Sequence, residues 1–116
     1  MNTEVDDAIR QNPELLKAVQ DASGFLERHA IDIAPWANGL SIRWEELSNS
    51  KWIRLAIRDA VHTSEYFFSP RRLLDATIRE MNVISAFRAF LWLKVNSKME
   101  QVDESINGIE EQLIHA

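Results

Sequence analysis

Seven apolar residues in the last third of the chain, Trp92, Val95, Met99, Val102, Ile106, Ile109 and Leu113, recur at alternating steps of three and four. Such a repeat keeps one face of a helix apolar along its whole length, so the stretch reads as about three heptads with these residues at positions a and d. A seam of that kind has to be covered, either by the helix expected at 12–30 of the same chain or by a second copy. In a parallel homodimer Lys98 at g meets Asp103 at e of the second chain, whereas antiparallel pairing brings Asp103 and Glu110 together. Charge therefore tilts the expectation towards parallel. Asn107-Gly108 is the weak point, where the helix either continues or gives way to a short tail.

The remainder also reads as helical. Only 3 Gly and 3 Pro occur in 116 residues, too few for the many tight turns of a sandwich or barrel. Asn12-Pro13-Glu14 is a helix start: Asn caps, Pro fits the first turn, and Glu complements the positive end of the dipole. Leu15, Val19, Ala22, Leu26 and His29 then mark one buried face to about residue 30. Ser41 opens a short helix to Leu47, and Ser48-Asn49-Ser50 breaks it and caps the next. Over 51–65 the residues Ile53, Ala56, Ile57, Ala60 and Val61 form one helical face, with Lys51, Arg54, Arg58 and His62 opposite. Ser69-Pro70 starts a central helix over 70–98, apolar on nearly every side, which the acidic heptad extension 99–116 continues. The fold expected is all-α, a small bundle of four or five helices in one domain spanning 1–116.

Charge is segregated along the chain. Residues 1–41 sum to −4, residues 42–98 to +4 and residues 99–116 to −5, giving the overall −5. An acidic chain argues against non-specific nucleic-acid binding. The row Lys51, Arg54, Arg58 and His62 nevertheless suits an acidic partner, or the acidic residues Asp103, Glu104, Glu110 and Glu111 of the chain's own end. Arg71 and Arg72 stand at a helix start, where cations oppose the dipole, and there they gather an anion, Glu65 being the local candidate. Residues 41–65 also have the outline of a helix-turn-helix, with Lys51, Arg54 and Arg58 on its second helix. It lacks the turn glycine and any Asn or Gln beside the arginines. Trp36, Trp44 and Trp52 are expected as exposed aromatic anchors, because Trp concentrates at interface hot spots.

Chemistry-bearing patterns are sparse. With no cysteine there is no disulfide framework, thiolate zinc site or cysteine nucleophile. Asp59-x-x-His62 places a carboxylate and an imidazole one helical turn apart, but the second such pair of a bundle di-metal site is missing. His29 falls on an apolar stripe and His115 near the end of the chain. No P-loop, GxGxxG, HExxH or GxSxG pattern occurs. No catalytic residue, metal or cofactor is assigned. The opening residues show no signal-peptide pattern, and the most apolar stretch, residues 83–95, is interrupted by Arg88 and falls short of a bilayer span, so a cytoplasmic protein is expected. The function this implies is a non-enzymatic protein–protein interaction module acting through a helical apolar seam, with a dimeric helix-turn-helix regulator as the alternative.

Overall fold

The computed structural model describes every residue except 35, 36, 38, 50 and 116, and over 97–115 the backbone alone. The order of elements is β1 (Asn2–Val5), α1 (Asp7–Arg10), α2 (Pro13–Ile33), β2 (Ser41–Leu47), β3 (Trp52–Arg58), β4 (Thr63–Phe68), α3 (Pro70–Leu74) and α4 (Ala76–His115). The fold is mixed α/β and not all-α: a four-stranded sheet in the order β1-β2-β3-β4 packs against the two long helices. β1 runs parallel to β2, with α2 in the crossover between them, and the other two pairings are antiparallel.

The two middle elements are the main correction to the all-helical expectation. Residues 41–47 form β2 rather than a helix, and 51–65 divide between β3 and β4. The same sequence fits a second period: Ile53, Leu55 and Ile57 alternate with Trp52, Arg54, Ala56 and Arg58. The first three are buried and their neighbours partly or fully exposed, as for a strand with one face on the core. Ile42 pairs with Ile57, and Trp44 with Leu55, which pairs in turn with Tyr66, so the inner face is continuous across three strands. At the β2–β3 turn Ser48 and Asn49 take positive φ values of 53° and 54°, which reverses the chain in a place that the helical reading treated as a cap.

Both long helices cover this inner face. On α2, capped by Asn12 as expected, Leu15, Ala18, Val19, Ala22, Leu26 and Ala30 are buried. Its alanines let the helix lie close to the sheet, and Ser23 Oγ accepts a 2.9 Å hydrogen bond from the indole Nε1 of Trp44. α4 contributes Val83, Ala86, Phe87 and Phe90, and Asn82 accepts a 3.1 Å bond from the Tyr66 hydroxyl. Since Trp44 and Tyr66 lie in one cross-strand row, α2 and α4 share one face of the sheet.

The expected central helix 70–98 is interrupted at Asp75. α3 ends there, and Asp75 Oδ1 caps α4 by accepting from the backbone N–H of Ile78 at 3.1 Å. The buried Arg79 secures the joint by donating from Nη1 to the Leu73 carbonyl at 3.0 Å. α4 then runs 40 residues, through Asn107-Gly108 without a stop, a length of about 60 Å at 1.5 Å per residue. Heptad extension and central helix are one element.

Candidate interaction surface

The face that α4 turns away from the sheet continues the seam upstream. Ile78, Met81, Ser85, Arg88, Trp92 and Val95 follow the same alternating steps of four and three, and all six are exposed. On a helix of 3.6 residues per turn they fall within an arc of about 100°, diametrically opposite the buried arc of Arg79, Val83, Ala86, Phe87 and Phe90. Trp92 is 68% exposed, Met81 64% and Val95 51%, values unusual for large apolar residues in a row. The reading in which the seam folds back on the 12–30 helix fails for Trp92 and Val95: α2 lies against the other side of α4. Met99, Val102, Ile106, Ile109 and Leu113 lie outside the residues whose side chains are described, as do Asp103, Glu104, Glu110 and Glu111; their backbone is helical and in phase with the exposed stripe.

The basic row is dispersed by the strand geometry. Lys51 sits in the turn before β3, and Arg54 and Arg58 lie on the sheet face opposite the helices. Arg54 is engaged by Glu45, and Glu65 stands 3.8 Å away. Glu65 therefore belongs to Arg54 and not to Arg71 and Arg72. With Arg43 bonded to Glu4 at 3.2 Å and also to Glu45, this outer face carries an alternating ladder Glu4–Arg43–Glu45–Arg54–Glu65. Arg54 first, and then Arg43, hold the Glu45 carboxyl below its ordinary range. A helical reading of 41–65 hides the ladder, because Glu4–Arg43, Glu45–Arg54 and Arg54–Glu65 join neighbouring strands, and Arg43 and Glu45 share a face only through strand alternation. The helix-turn-helix outline disappears for the same reason, since its second helix is a strand.

His62 is in the β3–β4 turn, with Asp59 and not in line with the arginines. Asp59 Oδ1 accepts from the backbone N–H groups of Val61 and His62 at 2.9 and 2.7 Å, and Oδ2 accepts from Lys94 Nζ of α4 at 2.8 Å. These bonds, Lys94 foremost, hold the Asp59 carboxyl well below the usual carboxylate range despite its partial burial. His62 Nδ1 is 3.5 Å from Asp59 Oδ1 without forming a hydrogen bond. The pair read from Asp59-x-x-His62 is thus real in space but is a hairpin clasp onto α4. Among the described residues no group of three or more His, Asp or Glu side chains is placed to hold a metal ion.

Arg71 and Arg72 are exposed on the five-residue α3 and line a shallow cleft with Ser69, Asp75 and Ile78. Of the three tryptophans expected as anchors, Trp44 is fully buried under α2, its ring 5.8 Å from that of Phe68. It is a core residue. Trp36 lies outside the described residues. Trp52 is exposed and forms with Leu47 and Phe67 an apolar corner of the outer sheet face, lining a hollow of about 410 Å³. Strand alternation sends Phe68 inward and Phe67 outward, a distinction that a helical period over 51–65 does not make.

Among the described residues, no helix is long and apolar enough to cross a membrane. No protein-family model matches the chain, and neither the curated proteins nor the solved structures compared with it give a match.

Proposed function

We propose that the protein is a protein–protein interaction module in which the α/β body presents α4, and α4 grips a helix of another chain. One observation carries this reading: the apolar stripe beginning at Ile78 is turned away from the body that α4 itself helps to build. The inner arc of the helix satisfies the fold, and the outer arc is left with Met81, Trp92 and Val95 at the surface, in register with the heptads that follow. Large apolar side chains exposed in helical phase are the usual anchors of helix-on-helix recognition. The alternating ladder on the sheet supports orientation more than affinity, since its charges are already matched within the chain.

The test is retention of a partner from source extract on the intact protein, on Val95→Glu and on Arg43→Ala as a control at the sheet face. The expected result is one helical protein, identified by mass and rebound in purified form, held by the intact chain and by Arg43→Ala and lost with Val95→Glu. Identical retention by all three, or retention of nothing, additional copies of this chain included, refutes the reading.

A further inference from the structure

We infer that the partner of α4 is this chain itself, three or four copies being joined in parallel and in register through Trp92–Leu113; the inference rests on the reading of α4 as a gripping helix. The spacing admits one frame, because the step from a to d is three and from d to a is four. Trp92, Met99, Ile106 and Leu113 take a, and Val95, Val102 and Ile109 take d. Every d position is β-branched, and only one a position is. Two-stranded coils favour the reverse, β-branched at a with Leu at d. Leu at a with Ile at d shifts the preference to three or four strands.

Direction follows from charge. In register and parallel, Lys98 at g faces Asp103 at e of the neighbour, while Glu100, Glu104 and Glu111 hold positions b and f off the seam. Antiparallel pairing sets Asp103 against Glu110. The upstream limit follows as well: the frame puts the exposed Arg88 at d, where like charges meet in a parallel assembly, so the seam opens above Trp92. The body permits this arrangement, because it packs on the arc of α4 opposite Trp92 and Val95 and so lies outside a central bundle. Gly108 falls at c, where it weakens the helix without breaching the seam.

Light scattering of the full chain over a wide concentration range should give about 40 or about 54 kDa, three or four times 13.4 kDa. Val102→Asp should lower the mass to the 13.4 kDa of one chain while the near-ultraviolet signal of the body is retained. Placing Leu at 95, 102 and 109 and Ile at 99 should convert the assembly to two chains. The sequence has no cysteine, so Leu113→Cys should cross-link rapidly under mild oxidation if the helices are parallel. A wild-type mass of any other multiple, or no cross-link from Leu113→Cys, overturns the inference. A monomeric wild type whose Val95-dependent partner is still retained from extract removes self-assembly alone, and a monomer that retains nothing removes the gripping role too.

Discussion

Replacing Trp44 by Phe tests the packing of α2 on the sheet. The indole Nε1 donates to Ser23 Oγ at 2.9 Å in a fully buried site, and that bond is lost. A buried hydrogen bond contributes about 1 kcal/mol net, with more at stake when the partner is left unsatisfied. Here Ser23 Oγ still donates to the Val19 carbonyl at 2.8 Å, so the lower figure applies. The missing half of the indole leaves a void against Phe68 worth roughly 1–2 kcal/mol by the cost of deleting buried methylenes. The sum is about 2–3 kcal/mol, which in a domain of this size lowers Tm by roughly 8–12 °C. Urea unfolding followed by circular dichroism reads it, with Trp52→Phe at the exposed sheet corner as a control expected within about 0.5 kcal/mol of wild type. Combining Trp44→Phe with Ser23→Ala should reveal a coupling of about 1 kcal/mol. Equal costs for Trp44→Phe and Trp52→Phe would refute the burial of Trp44 between α2 and the sheet, because only an exposed ring is lost that cheaply.

Lys94→Met removes the leading partner of Asp59 and should cost about 2 kcal/mol at neutral pH, the scale of a hydrogen bond between charged groups. Because folding depresses the Asp59 pKa, its stabilisation is present above the unfolded value of about 4 and fades as pH falls through the lower folded value. Urea midpoints of wild type and Lys94→Met should therefore stay apart from pH 7 down to pH 3 and approach each other only on further acidification, and convergence already complete at pH 3 would contradict the clasp. Gly24→Ala in the interior of α2 should stabilise by about 0.5–1 kcal/mol, since the new Cβ meets only the flexible end of Arg28 at 3.3 Å; a lower Tm would show that Arg28 is fixed in place. Glu45→Gln leaves Arg43 and Arg54 without their shared carboxylate and should cost up to about 1 kcal/mol, less at high salt, which a urea series with added salt resolves.

The elements legible from the residues alone are those whose evidence is local. Asn12-Pro13 and Ser69-Pro70 mark helix starts because a cap and a fixed φ act within one turn, and both stand where they were expected. The heptad phase from Trp92 to Leu113 makes the end of α4 helical, whereas the outward turn of Trp92 and Val95, and the extension of the stripe up to Ile78, appear only in the structure. The strands are different. Residues 52–58 satisfy the periods of both helix and strand, and the choice depends on neighbours: Trp44 and Tyr66 must lie on either side of Leu55 before alternation is worth more than a helical stripe. β1 is more extreme, since its largely exposed residues gain strand form only from pairing with Ser41–Trp44, about forty positions away. Local propensity and periodicity thus settle where α2 and α3 begin and that the stretch carrying the heptads is helical. Long-range hydrogen bonding and burial across the sheet settle whether Trp44 is core, whether Arg54 is free, and whether Asp59 meets Lys94, because each of those outcomes is a property of two segments at once.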